Sequence, residues 1–290
     1  MHYSGTVYRP PSEAYSLIVQ TTVGCSHNQC AFCNMYKDKK FALCDMAQVL
    51  GDLQWARDAY PKVERIFLAD GDALILPMES LLEILAQIRR LFPECRRVST
   101  YASPKSILGK SPEDLRTLRE AGLAFAYLGL ETGNEALLKK INKGVTVAQQ
   151  IEAGQKLKAA GLTLSVTAIN GLSGSNGDWR AHAVDTAKAL NAMMPDFIAL
   201  LTLRVYTGTV MAQWVASGEL VEPTPMELIR ETKLILENLD CPGAVFRSNH
   251  ASNYLALAGT LNQDRASMIA QCDAALQGAD TLRHFVELGR

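Results

Sequence analysis

The chain has 290 residues, is 48% hydrophobic and 20% charged, and carries a formal net charge of −1. This balance excludes a disordered chain, because the apolar content is enough for a sizeable core, and it gives no global field that would draw nucleic acid or an anionic membrane. The first twelve residues are polar, with Arg9-Pro10-Pro11 where a secretory leader needs an apolar run, and no apolar stretch reaches spanning length; the expectation is a cytoplasmic, monomeric protein without a membrane or nucleic-acid partner.

In chain order, short apolar runs alternate with amphipathic ones. Ser16–Val23 is predicted as a strand, Met46–Ala59 as a helix, Arg65–Ala69 as a strand, Glu79–Leu91 as a helix and Arg97–Tyr101 as a strand. Ser111-Pro112-Glu113-Asp114 then supplies an N-cap, a first-turn proline and two acids for a helix over Glu113–Ala121. The pattern continues with strand Phe125–Leu130, helix Val147–Ala160, strand Thr163–Ile169, helix Asp178–Met193, strand Phe197–Leu203, helix Pro225–Leu239 and strand Ala244–Arg247. Gly122 and Gly161 stand just past a helix and directly before a strand. Such short joints mean a parallel sheet, and strands that read as apolar runs are buried on both faces. The expected fold is α/β: a partial or closed parallel (β/α) TIM-like barrel of about six βα units. Its core covers about 14–248 as one domain, followed by a C-terminal helical extension over about 249–290, with helices from Gln263 to Leu276 and again near the end.

There are seven cysteines. Cys44, Cys95, Cys241 and Cys272 are scattered and read as buried small hydrophobes or chance surface thiols. Cys25, Cys30 and Cys33 are clustered just after the first strand, spaced four residues and then two. Three thiolates leave one iron of a [4Fe–4S] cube open, whereas a structural zinc wants four ligands; His27 or Cys44 would be the fourth in that alternative.

Further glycine- and acid-bearing segments follow the strands. They are Asp70-Gly71-Asp72 after the second, Gly129-Leu130-Glu131-Thr132-Gly133 with Lys143-Gly144 after the fourth, Asn170-Gly171 within Ile169–Gly174 after the fifth, and Tyr206-Thr207-Gly208-Thr209 after the sixth. Each lies at the C-terminal end of a predicted parallel strand, where βα loops build sites in barrels. With Phe32 before the last cysteine, this series resembles the radical S-adenosylmethionine superfamily, in particular its coproporphyrinogen-oxidase-like and methylthiotransferase-like branches. The first cysteine gap is one residue longer than that family's usual spacing.

The resemblance implies a [4Fe–4S] cluster on Cys25, Cys30 and Cys33, and S-adenosylmethionine chelating the open iron. It places Gly71 and Asp72 at the cofactor's amino group, Glu131 at its ribose or methionine part, Lys143 beside it, and Phe32, Tyr36, Asn170 and Gly171 near adenine. One electron from a flavodoxin- or ferredoxin-like donor would cleave the cofactor to methionine and a 5′-deoxyadenosyl radical, which takes hydrogen from a small-molecule substrate. The residues themselves add a polar cluster after the last strand, Arg247 to Asn253, that reads as a substrate pocket, with Arg247 for a carboxylate or phosphate and His250 as proton donor or acceptor. Asp70 reads as a turn or cap residue, and His2 and His182 as exposed or helical-surface residues. The competing readings are a zinc-binding βα hydrolase or scaffold, and a catalytically inactive iron–sulfur protein.

Overall fold

A computed structural model describes residues 1–278 of the chain. The expected second C-terminal helix lies outside these residues. The main sheet orders its eight strands β1 (Leu17–Gln20), β4 (Arg65–Ala69), β5 (Arg97–Tyr101), β6 (Leu123–Glu131), β7 (Thr163–Asn170), β8 (Phe197–Thr202), β9 (Val245–Ser248) and β10 (Leu257–Thr260). Only β10 is antiparallel among the pairs described, and β1 and β10 stand at the two ends of the order, so the sheet is mostly parallel and not closed. The expected first strand divides: after β1, Thr22–Val23 (β2) leaves the main sheet and pairs antiparallel with Ala42–Leu43 (β3).

The helices are α1 (Met46–Ala59), α2 (Met78–Leu91), α3 (Pro104–Leu108), α4 (Pro112–Ala121), α5 (Glu135–Lys140), α6 (Val147–Ala159), α7 (Trp179–Met193), α8 (Val210–Ser217), α9 (Pro225–Asn238) and α10 (Arg265–Leu276). Their starts follow local chemistry. Ser111 with Asp114, and Thr224 with Glu227, form reciprocal capping boxes before a first-turn proline. Asp45, Asn134 and Asp178 each accept a first-turn backbone N–H.

The chain divides into two compact units, one made of 1–28, 35–128 and 156–164, the other of 29–34, 129–155 and 165–290. In the first, strand alternation puts Val19, Ile66, Leu68, Val98 and Ala126 on one buried sheet face. The opposite face is aromatic: Phe67, Tyr101, Phe125 and Tyr127 pack edge to face or tilted, with ring centroids 4.7–6.0 Å apart, and Val7 packs on them. Buried Glu13 accepts from the Tyr127 hydroxyl (2.5 Å) and from Arg97 (2.8 Å) at this face. In the second unit, Val166, Ala168, Asn170, Ile198, Leu200, Phe246 and Ser248 share one buried face. Thr167, Ala199, Leu201, Val245 and Arg247 lie on the other and are each partly to fully exposed, while Ser165 and Ile169 on that face are buried.

Candidate functional site

The start of the cysteine loop is tied to the end of β4. Thr21 donates through its backbone N–H (2.5 Å) and its hydroxyl (2.9 Å) to the Ala69 carbonyl. The carboxylate of Asp70, fully buried, accepts from Gly24 N–H (3.1 Å), Gln20 Nε2 (3.2 Å) and Lys39 Nζ (2.7 Å), and Lys39 is itself buried. Asp70 is therefore no surface turn residue; a charge this deep persists because it is paired and hydrogen-bonded. Gly24 has φ +73°, a left-handed backbone that suits glycine, and Gly71 N–H donates to the Gly24 carbonyl (3.1 Å).

Gly71 lies against the first cysteine. A Cβ on it would stand 2.7 Å from the Tyr36 ring and 3.0 Å from the Cys25 Cβ. Tyr36 is buried and meets Tyr8 edge to face; burial first, and then the Asp70 carboxylate, push its hydroxyl pKa well above the ordinary range. The Tyr36 carbonyl accepts from Asn28 Nδ2 (2.6 Å) and Lys39 N–H (3.1 Å), so it is already engaged within the protein. Asp72 is fully buried. Its Oδ1 accepts from Ser103 N–H (2.9 Å) and Ser106 Oγ (2.7 Å), and its Oδ2 from Ser26 Oγ (2.5 Å) and Ser103 Oγ (2.8 Å). A carboxylate offers about four acceptor positions. Asp72 directs them to the residue after Cys25 and to the start of α3.

The end of the loop is anchored in the second unit. Ala31 N–H donates to the Ile141 carbonyl (2.8 Å), and the Ala31 carbonyl accepts from Met211 N–H (3.0 Å). Phe32, half-buried, packs against an apolar cluster that includes Ala31, Ile141, Ile169 and Met211. Cys25, Cys30 and Cys33 are all half-buried and none forms a disulfide. Among the described residues no three His, Cys, Asp or Glu side chains gather as the ligands of one metal ion. A cube spreads its thiolates over separate irons, so three such sulfurs need not converge on one point.

At the end of β6, Glu131 Oε1 lies 2.6 Å from Lys143 Nζ, with both side chains largely buried. Two residues earlier, a Cβ on Gly129 would stand 2.2 Å from Glu131 Oε1 and 3.0 Å from Lys143 Nζ, so the missing side chain makes room for the pair. Glu131 itself has φ +62°, which a non-glycine residue adopts only when its surroundings enforce it.

At the end of β7, Asn170 is buried with its side chain toward α9: Nδ2 donates to the Leu228 carbonyl (2.8 Å) and Thr232 Oγ1 (2.7 Å). Gly171, at φ +86°, donates its N–H to Glu231 Oε1 (2.9 Å). The sequence reading missed the group behind this tip. His182 is 1% exposed rather than on a helix surface, and its Nε2 faces Glu231 Oε1 (3.2 Å) and the Ile169 carbonyl (3.1 Å) while Nδ1 faces Thr132 Oγ1 (2.8 Å). Its neighbours on α7 carried the signal: Thr186, Ala189, Leu190 and Met193 repeat at three- and four-residue spacing from it and are buried.

The polar residues after β9 divide between two roles. Ser252 and Asn253 are buried and accept the Thr202 N–H (3.2 and 3.0 Å), and Asn253 Nδ2 donates to the Leu200 carbonyl (2.8 Å), so they hold the end of β8. A small cleft beside them is lined by Asn170, Thr202, Thr232, Ser248 and Tyr254. Arg247 does not line it. Its register beside Ala199 puts it on the exposed sheet face, with its guanidinium donating to the Phe246 carbonyl (2.8 Å). His250 is half-buried, and its Nδ1 accepts from Ser252 N–H (3.1 Å).

These donors suit the expected cofactors: a three-thiol stretch fits a cube with one open iron, and the gap at Gly129 holds a buried carboxylate–ammonium pair at a strand tip. No helix among the described residues is long and apolar enough to cross a membrane. The chain is 23% identical over 189 residues to the heme chaperone HemW of Bacillus subtilis, covering 65% of this chain and 49% of that protein. It is 24% identical over 206 residues to an uncharacterized methyltransferase of Pyrococcus horikoshii, covering 70% of this chain and 43% of that one. The chain thus spans about half the length of these curated relatives, or less. In fold it matches methylornithine synthase (PylB) with a TM-score of 0.54 at 15% identity, covering 93% of this chain and 74% of that structure. The family model of the radical SAM superfamily matches residues 19–187, more than half of the sequence. Together with the cysteine stretch and the open parallel sheet, this means that the chain belongs to the radical SAM superfamily, whose cofactors are a [4Fe–4S] cluster and S-adenosylmethionine.

Proposed function

We propose that this protein cleaves S-adenosylmethionine reductively and uses the resulting 5′-deoxyadenosyl radical to take a hydrogen atom from a small-molecule substrate. The observation that carries the reading is the stretch Cys25 to Cys33, whose start is bound through Asp70 to the end of β4 beside Gly71. Cys25, Cys30 and Cys33 hold the cluster, which when bound supplies the single electron that splits the sulfonium. Gly71 offers its backbone to the methionine amino group, with Asp72 fixing the loop. Glu131, oriented by Lys143, takes the ribose hydroxyls. Phe32 and the backbone at Asn170-Gly171 line the adenine, whereas Asn170's own amide and Tyr36 act from behind. Arg247, on the exposed sheet face, binds a carboxylate or phosphate of the substrate, and His250 moves a proton at its edge. A flavodoxin or ferredoxin of the cytoplasm delivers the electron.

The test is anaerobic reconstitution followed by reduction with dithionite. The expected result is a brown protein with about four irons per chain that forms 5′-deoxyadenosine from S-adenosylmethionine. A colourless protein holding one zinc and forming no 5′-deoxyadenosine overturns the reading. Substrate identity is tested by deuterium transfer into 5′-deoxyadenosine from candidate carboxylates, with R247A expected to raise the substrate KM and leave uncoupled cofactor cleavage unchanged.

A further inference from the structure

We infer that His182 and Glu231 are positioning residues that set the strand tips where S-adenosylmethionine binds; this rests on the proposed function above. Both are buried in the second unit, at 1% exposure each, on the apolar stripes of α7 and α9. Burying an acid and an imidazole in a helix interface has a desolvation cost that core packing alone does not require. Their contacts show what that cost secures.

Glu231 Oε1 receives the Gly171 N–H at 2.9 Å and lies 3.2 Å from His182 Nε2. Because Nε2 also faces the Ile169 carbonyl (3.1 Å), it carries the proton and donates to two acceptors. On the other side of the ring, Thr132 Oγ1 accepts from Asn134 N–H (3.0 Å) and so directs its own hydroxyl proton to His182 Nδ1 (2.8 Å). Gly133 N–H is held in turn by Thr186 Oγ1 at 3.0 Å, one helical turn beyond His182. A single imidazole therefore spans the residue after Glu131 and the residue before Asn170. Gly171 stands at φ +86°, and a Cβ on it would stand 2.8 Å from the Leu228 side chain, so the position suits glycine alone and the backbone N–H there is held by Glu231. The tip of β6 and the tip of β7 share one adjustment point, and α9 is its backstop through Glu231 and Thr232.

A residue that only stabilises the core would change folding and leave cofactor affinity alone. A positioning residue changes the affinity with the cluster intact. The experiment compares E231A, E231Q, H182A and L236A in the full reconstituted chain, reading S-adenosylmethionine KM and kcat for uncoupled cleavage, iron content and Tm. Leu236 is fully buried on the same helix and touches neither tip's hydrogen bonds, so L236A reports helix destabilisation by itself. E231A is expected to raise the KM about tenfold, as loss of a hydrogen bond to a charged group should, with kcat and iron content unchanged. E231Q keeps an acceptor oxygen for Gly171 and is expected to recover most of that loss. H182A, which leaves the Glu231–Gly171 bond in place, is expected to raise the KM by a smaller factor and serves if E231A does not fold. The inference is overturned if wild type cleaves the cofactor and neither E231A nor H182A shifts the KM, or if L236A shifts it as much as E231A. A wild type that loads iron and cleaves nothing overturns the proposed function, and the inference with it.

Discussion

Two buried acids, one in each unit, each hold the backbone of a glycine, and they differ in their partners. Asp70 in the first unit and Glu231 in the second each accept the N–H of a glycine with positive φ, Gly24 and Gly171. Asp70 is matched by Lys39, whose ammonium also donates to the Thr6 carbonyl (2.5 Å) and whose stem packs against Gly24. Glu231 is matched by an imidazole that also faces the tips of two strands. The first arrangement is a charged lock on the cysteine loop. The second is a hydrogen-bonded brace on the tips of β6 and β7. The difference teaches that the cysteine loop and the tips of β6 and β7 are held by separate hydrogen-bond networks, so that under the proposed function cluster loading and cofactor binding are expected to break separately.

The largest expected effect comes from breaking the lock. D70A leaves the Lys39 ammonium buried without its carboxylate and frees Gly24 N–H, a loss of about 3–5 kcal/mol, read as a fall in Tm and in iron incorporation. The double variant K39M/D70N removes both charges and is expected to recover much of the Tm; if it does not, the pair is not what holds the loop. D72A comes next. It strands the hydroxyls of Ser26, Ser103 and Ser106, costing about 2–3 kcal/mol, and should lower iron retention on gel filtration. G129A is smaller in stability and specific in function: its methyl group displaces the Glu131–Lys143 pair, and S-adenosylmethionine KM is expected to rise about tenfold with full iron content.

The smallest effect concerns the remaining thiols. Burial pushes Cys241 up to about 11 and Cys272 up to about 12, each reinforced by the aspartate beside it in sequence. A thiol with a raised pKa holds less thiolate and reacts later as pH rises. Iodoacetamide at pH 8 should therefore modify Cys25, Cys30 and Cys33 of the metal-free folded protein well before Cys241 or Cys272, as read by peptide mass spectrometry. Equal rates would remove the distinction between cluster and core cysteines.

Most of the fold was legible in the periodicity. β4 and β5 have the predicted ends, as does α1, and the other predicted helices and the strands from β6 to β9 differ by only a few residues. The short elements were not: α3, α5 and α8 span eight residues or fewer, too few for an apolar stripe to repeat, although Ser103, Asn134 and Thr209 stand as their N-caps. The two-residue strands β2 and β3 have no pattern of their own, and their pairing is flanked by the hydrogen bond from Cys44 N–H to the Thr21 carbonyl (3.1 Å). β10 was hidden for another reason: Leu257–Thr260 contains a glycine and lies at a sheet end, where only one neighbour shapes it. At the candidate site, strand-end positions could be located from the sequence, whereas contacts between segments far apart in the chain could not. The places of Glu131 at the end of β6 and of Gly71 just after β4 were legible, but the contacts of Lys39, Asp70, His182 and Glu231 depend on partners 31–60 positions away.

The central claim is that three sulfurs carry a cube that cleaves S-adenosylmethionine. Its most direct measurement is 5′-deoxyadenosine formed per cluster after dithionite reduction of the anaerobically reconstituted protein, beside the C25A, C30A and C33A variants. The account predicts product from the wild type, and neither product nor stable iron from any of the three variants. A variant that keeps both iron and product, or a wild type with a full cluster and no product, would contradict it.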